Sequence, residues 1–316
     1  HAHGPHGMYV GTTGSGKTSM VRSWILSMAV QFSPEYVNFV LVDFKGSSLL
    51  DGLQGLPHVV GTISSLDSDI SRNLLALESE IKRRQAFFKE HGGDIYKCYD
   101  AGIRAIPFLY IVIDELNEYK IWSNSGDLNQ MKLLDRLSQV GRGLGIHLIA
   151  GSQDSTPFTN TMQQNARFRW CLKTAQKEDS RYLLQTEDGF NITNKGRAIM
   201  RVGNNEVNEE LQPAYSDGSY FSEKALKSIP EREMALLDLQ GNKRHATIKN
   251  ANDSETQLEA VVSQITKAAK AYYRNAPRKI WPERLPERLY LKELQGNGTK
   301  ELMAAVGLVD DPVGQQ

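Results

Sequence analysis

Short apolar bursts alternate with amphipathic stretches along the first two thirds of the chain. Residues 8–10, 37–43, 108–113, 147–150, 168–172 and 198–202 are runs of β-branched, aromatic and aliphatic side chains with the length of strands. Between them, residues 18–30 and 70–88 carry helical patterns. In the second of these, Ile70, Leu74, Leu77 and Ile81 share one face while Glu78, Glu80, Lys82 and Arg83 share the other. Nearly continuous apolar strands separated by helices predict an α/β fold: a mainly parallel central sheet, buried on both faces by flanking helices. This pattern runs to about Tyr215.

After about Ser222 the texture changes to charged segments of helical character, broken by Pro230, Pro277, Pro282 and Pro286. Leu258, Val261, Val262 and Ile265 keep helical spacing, which predicts an amphipathic helix that docks either on the preceding core or, as a regulatory contact, on a following module. The stretch APRKIWPERLPERLYLKEL reads as an extended, proline-stiffened connector. Beyond it, LMAAVGLV has strand character and is expected to add to the sheet of this or a neighbouring molecule.

Composition narrows the function classes. With 316 residues, 40% of them hydrophobic, the chain can bury a large core. Lys plus Arg and Asp plus Glu both number 37, so no net field draws the chain onto nucleic acid. The only cysteines, Cys98 and Cys171, are far apart and lack metal-ligand spacing, which favours a reducing compartment. No run of about 18 apolar residues is present to span a bilayer. His1, His3 and His6 sit among glycine and proline at the start, and are read as an expression remnant or a loop entering a strand rather than a metal site.

The densest chemical signal is Gly11-Thr12-Thr13-Gly14-Ser15-Gly16-Lys17-Thr18, followed by Ser19. It fits G-x-x-x-x-G-K-[ST] and lies between an expected strand and an expected helix, the context its mechanism needs. Backbone N–H groups of such a loop surround a β-phosphate, and the helix N-terminus behind it favours negative charge. Gly14 and Gly16 allow close approach of the main chain. Lys17 is then placed to neutralise phosphate oxygens and Thr18 to offer its hydroxyl to Mg²⁺.

A second signal is FLYIVIDELNEY, an apolar strand that ends in Asp114-Glu115. Carboxylates at the end of a buried strand are costly unless paired or set beside a cation, so two in succession point to a site. Asp114 is assigned to the magnesium shell and Glu115 to orienting and deprotonating the attacking water. That pair favours hydrolysis of ATP by the chain's own glutamate over the GTPase type. A third signal, VGRGLGIHLIAGSQDS, presents Ser152 and Gln153 at a strand exit, and Gln153 is a candidate sensor of the γ-phosphate or the lytic water.

Taken in order, HGPHGMYVGTTGSGKTS, VNFVLVDFKG, LPHVVGTI, EIKRRQ, IVIDELNE, VGRGLGIHLIAGSQ, NARFRW and GRAIMRVGNNEV resemble the FtsK/SpoIIIE family of P-loop motor ATPases. Within it they are most similar to single modules of type VII secretion ATPases of the EssC/EccC kind, over roughly residues 3 to 215. The resemblance implies a RecA-like ATPase module in residues 1–222, a linker in 223–301 and the opening strand of a following module in 302–316. It also implies a longer membrane-anchored protein at the cytoplasmic face of the membrane, with tandem modules and a ring, a hexamer in the assembly. Its partners would be channel proteins and small helical substrates. A neighbour's arginine would then reach the γ-phosphate: Arg72 matches that position, and Arg142 competes with it. Two departures stand out. The family's Asp-Phe-Lys-Gly-Gly reads Asp43-Phe-Lys-Gly-Ser47, expected to alter coupling of Asp43 and Lys45 to the neighbouring module without touching the phosphate site. The usual segment after the acidic pair reads DELNEY, although Glu118 still matches.

The function expected from these readings is that of an ATP-binding, Mg²⁺-dependent, ATP-hydrolysing motor module of a type VII secretion system, active with neighbouring modules. Two alternatives stay open: a DNA translocase of the same family, disfavoured by the neutral charge balance and the absence of a basic stripe, and a nucleotide-bound scaffold that docks or gates its neighbours without hydrolysis.

Overall fold

A computed structural model describes residues 4–46, 48–64, 70–124, 131–221, 234–237, 243–246, 255–273, 277–281, 311 and 313–314. Eight strands form one sheet: β1 (His6–Val10), β2 (Val37–Asp43), β3 (Val59–Ser64), β4 (Phe108–Ile113), β5 (Ile146–Ser152), β6 (Ala166–Cys171), β7 (Ala198–Val202) and β8 (Val207–Leu211). Their spatial order is β3-β2-β4-β5-β1-β6-β7-β8. Strands β3 to β6 run parallel, and β7 and β8 continue antiparallel. All parallel strands therefore end at one edge of the sheet, where β1 delivers its loop next to the ends of β5 and β6.

Both faces are covered, as the unbroken apolar strands require. On one face lie α1 (Lys17–Gln31) and α9 (Gln257–Tyr272). Here the indole of Trp24 meets Phe39, Tyr110 and Trp170 edge-on, at ring-centroid distances of 6.1, 5.5 and 6.0 Å. Leu258 and Val262 of α9 are buried in the same cluster, so the amphipathic helix docks on its own core. Its start is fixed by Thr256, whose hydroxyl accepts from the Glu259 amide while the Glu259 carboxylate accepts from the Thr256 amide.

The other face packs α2 (Ile70–Glu90), α3 (Ile95–Asp100), α4 (Leu116–Asn124), α5 (Met131–Leu144), α6 (Asn160–Asn165) and α7 (Lys177–Leu184), with the short α8 (Asp188–Asn191) beside α7. The expected face of α2 turns inward: Ile70, Leu74, Leu77 and Ile81 are buried. So is Glu80, which the helical pattern had assigned to the solvent side. It pairs with Arg83 and Arg84 at 2.7 and 2.8 Å.

Two strands escape the apolar-burst reading. Val59–Ser64 is interrupted by Gly61 and Thr62, and Val207–Leu211 is polar (VNEEL) because it ends the sheet in solvent. Part of the region after 222, expected to be helical, is a pair of antiparallel strands, β9 (Met234–Leu237) and β10 (Lys243–Ala246). The described connector residues 277–281 lie on the outer edge of β3. The Ile280 amide donates to the Val60 carbonyl at 3.1 Å, and the Trp281 ring covers Gly61 so closely that a Cβ there would fall 2.4 Å from it. The LMAAVGLV segment lies outside the described residues.

Candidate functional site

The phosphate loop leaves β1 at Gly11 and enters α1 at Lys17. It is held from both sides of the sheet: the Gly11 amide donates to Ser152 of β5 at 3.3 Å, and the Thr12 amide to Lys173 after β6 at 2.8 Å. Gly14 and Gly16 take φ of 78° and 105°, in the left-handed region glycine alone adopts freely. Gly16 is also pressed against Gly196, whose amide donates to the Ser15 carbonyl at 2.9 Å. Gly16 caps α1 without offering a side chain to the first-turn amides, and the buried Ser15 hydroxyl has no partner among the described residues. The Lys17 amine is buried, and donates to the carbonyls of Gly11 and, at 3.4 Å, Thr12. Desolvation lowers its pKa, while Glu115 and Asp114 act to raise it. A loop with unused donors, an uncapped helix start and a folded-in lysine is a cradle for an anion of phosphate type.

The carboxylates converge on the same place. The Thr18 hydroxyl lies 3.3 and 3.4 Å from the two oxygens of Asp114. The Tyr9 hydroxyl sits behind Asp114, 3.4 Å from Oδ1 and donating to the Ile113 carbonyl at 3.0 Å. Burial, with Asp43 and Glu115 nearby, pushes the Asp114 pKa up to about 6 against the opposing pull of Lys17 and Thr18. A buried carboxylate crowded by two others and touching a threonine hydroxyl suits a hard divalent cation with oxygen ligands, so Thr18 and Asp114 fit the Mg²⁺ assignment.

Glu115 is 2% exposed, and both its oxygens are engaged. Oε1 accepts from the Ser152 hydroxyl at 3.0 Å and the Gln153 amide at 3.3 Å; Oε2 accepts from Gln153 Nε2 at 3.1 Å. The other end of the Gln153 carboxamide accepts from the Thr13 hydroxyl at 2.9 Å. Gln153 thus bridges the phosphate loop to the acidic pair, which gives the sensor expectation a geometry.

The FtsK/SpoIIIE family matches residues 1–107. Over 98% of its length the chain is 34% identical to the type VII secretion system protein EssC of Staphylococcus aureus (strain NCTC 8325 / PS 47), and over 84% it is 36% identical to the ESX secretion system protein YukB of Bacillus subtilis (strain 168). The chain belongs to the FtsK/SpoIIIE family. It spans 22% and 18% of the length of those two relatives, about a fifth of each. Among solved structures it is similar to the cytoplasmic domain of the type VII secretion ATPase EccC of Thermomonospora curvata. That likeness has a TM-score of 0.76 at 26% identity, covering all of this chain and 35% of that one.

The remaining expected residues of this FtsK/SpoIIIE chain lie apart from the loop. Arg72 is in the first turn of α2, which follows β3. The parallel order puts it at the same sheet edge as the phosphate loop but four strands away, roughly 19 Å at sheet spacing. Arg142 ends α5 just before β5, at the opposite edge, beside Tyr96. No helix among the described residues is long and apolar enough to cross a membrane.

Asp43 and Lys45 also stand beside this chain's own acidic pair: Lys45 Nζ lies 3.9 Å from Glu115 Oε2, and the Asp43 carboxylate accepts from the amides of Lys45 at 2.9 Å and Leu49 at 2.7 Å. The loop after β2 folds back over the end of β4, which a family comparison of words does not reveal. Ser47, the departure in that loop, lies outside the described residues. Sequence reading missed Tyr9 and Gly196 altogether. Tyr9 looks like an ordinary core aromatic of β1, and Gly196 like an ordinary turn glycine.

Proposed function

We propose that this module binds ATP with Mg²⁺ and hydrolyses it as one motor unit of a type VII secretion system, powering export of small helical proteins in concert with neighbouring modules. The observation that carries the reading is the continuous link from Thr13 through Gln153 to Glu115, with Thr18 in contact with the neighbouring Asp114. Residues Gly11 to Ser19 would hold the phosphates, Lys17 would neutralise their charge, and Thr18 and Asp114 would hold Mg²⁺, which would supply further charge neutralisation. Glu115 orients and deprotonates the water, and Gln153 reports whether a γ-phosphate is present. Similarity to EssC and YukB over most of the chain supports the secretion role.

The test is ATP turnover of the full-length, multi-module protein. Glu115→Gln should lower the rate contributed by this module about 10²- to 10⁴-fold, the usual range for losing a general base, and leave ATP affinity nearly unchanged. Lys17→Ala should instead abolish binding in calorimetry. Equal turnover for wild type and Glu115→Gln would remove the hydrolytic role and leave a nucleotide-bound scaffold; strong stimulation by duplex DNA would favour a DNA pump.

A further inference from the structure

The phosphate loop and the loop that carries Gln153 leave different strands, β1 and β5, yet both are tied to the segment that joins β6 to α7. At one end of that segment the Lys173 carbonyl accepts from the Thr12 amide at 2.8 Å and lies 3.2 Å from the Thr12 hydroxyl. At its other end, in the first turn of α7, stands Asp179. Asp179 Oδ1 accepts from both the amide and the hydroxyl of Ser155, at 2.9 and 2.8 Å.

These two ties flank the contact between Thr13 and Gln153. Thr13 follows Thr12, Gln153 precedes Ser155 by two residues, and the Thr13 hydroxyl donates to the Gln153 carboxamide at 2.9 Å. The opposite end of that carboxamide reaches Glu115 at 3.1 Å. A glutamine side chain turns about several bonds, so holding it in one place has an entropic cost that a fixed backbone reduces. Past Ser152 the chain leaves the β5 ladder. Asp154 then closes the turn only on itself, accepting from the Thr156 amide at 2.9 Å, whereas Asp179 reaches the turn from another element. Asp179 is 5% exposed and lies where a helix start favours a carboxylate, which makes it a firm anchor.

We infer that Asp179 is a positioning residue: through Ser155 it holds the Gln153 carboxamide between Thr13 and Glu115, a role that rests on Gln153 acting as the γ-phosphate sensor. Without this tie the carboxamide would swing off Glu115, and the module would distinguish ATP from ADP less well. The phosphate loop, still held by Ser152 and Lys173, would keep its grip on the phosphates common to both nucleotides.

The experiment measures, in the full-length protein with Mg²⁺, how much more tightly this module holds the γ-thio analogue of ATP than ADP. Its share of the calorimetric signal is the part that Lys17→Ala removes. Gln153→Ala should reduce the preference for the analogue at least about tenfold. Asp179→Asn, which keeps the size of the side chain, and Ser155→Ala should each reduce it about three- to tenfold, as expected when a hydrogen bond to a carboxylate is weakened or lost. ADP affinity and melting should stay unaltered. Ser155→Ala added to Gln153→Ala should change nothing further, since both act through one carboxamide. An undiminished preference in Asp179→Asn and Ser155→Ala, while Gln153→Ala responds, overturns the positioning role and leaves the sensor standing. Losses that add in the double variant overturn it as well, because Ser155 would then act by another route. So does an equal loss of analogue and ADP affinity, the mark of a tie that is merely structural. A preference that survives Gln153→Ala removes the sensor itself, and the positioning role with it.

Discussion

At the scale of single residues, the site is held at a cost in stability. Asp114 is 4% exposed, and its pKa is raised from 3.8 to about 6 by burial and by Asp43 and Glu115. A carboxylate whose folded pKa exceeds its unfolded one favours folding below about pH 4, and that contribution is lost as pH rises through 6. At neutral pH the unliganded protein therefore holds an ionised group in a place that disfavours it, at a cost of about 2–3 kcal/mol. Asp114→Asn should accordingly melt higher than wild type at pH 7.5, with the difference shrinking toward pH 4. The same variant should lose Mg²⁺-dependent ATP binding, and the affinity of wild type for Mg²⁺ and ATP should fall as pH drops through 6. Melting curves and calorimetry at these pH values check both halves; a destabilised Asn variant at pH 7.5 would mean that the ionised carboxylate supports the fold. The acidic strand end that reveals Asp114 in the sequence also marks Asp43, since both are polar residues closing an apolar run. Tyr9 carries no such mark, because an aromatic among apolar neighbours is the commonest content of a buried strand.

At the scale of elements, β1 joins two functions with opposite responses to pH. Its carboxyl end feeds the phosphate loop, while its amino end is tied to β5 by histidines. His6 Nδ1 accepts from the Leu148 amide at 3.0 Å, and His147 Nδ1 lies 2.6 Å from the Pro5 carbonyl. Burial lowers their pKa values to about 3 and 4, with charge repulsion from His147 adding to the shift of His6. The unfolded chain takes up protons below about 6.5 that the folded one refuses, so stability is complete above 6.5 and is lost as pH falls toward 4. At pH 5 each histidine withdraws about 2 kcal/mol. Two histidines outweigh the opposing single proton of Asp114, and urea unfolding should show net weakening from pH 6.5 to 5. His147→Asn should flatten that profile; an unchanged pH slope would mean that the pair is not held neutral. The parallel strands β2, β4 and β5 are legible as apolar runs because burial on both faces removes polar alternation. β3 and β8 are not: each lies at an end of the sheet, where a glycine can take the connector's tryptophan and acidic side chains can face water.

At the scale of the whole molecule, strand order turns a sequence match into a statement about assembly. Arg72 shares the phosphate-loop edge but sits beside β3, the far strand, roughly 19 Å from β1. A guanidinium side chain does not cross that gap within one chain, so Arg72 can act on a γ-phosphate only where a neighbouring module brings it to its own loop. The letters of the sequence carry the identity of Arg72, but only the order of strands carries its distance. If Arg72 acts in this way, it contributes in the transition state, by about 10³- to 10⁵-fold in rate, and little to ground-state binding. Arg72→Ala in the full-length protein should therefore leave ATP affinity intact and nearly abolish this module's turnover. Glu115→Gln chains lack the base but keep the arginine, so mixing the two inactive variants should recover activity at those junctions where an Arg72→Ala site receives arginine from a Glu115→Gln neighbour. Recovery that rises and falls with the mixing ratio is the signature of a shared site. Two variants that stay silent in every mixture, although they assemble, would show that Arg72 serves no neighbour, and Arg142, on the opposite edge, would become the residue to mix next.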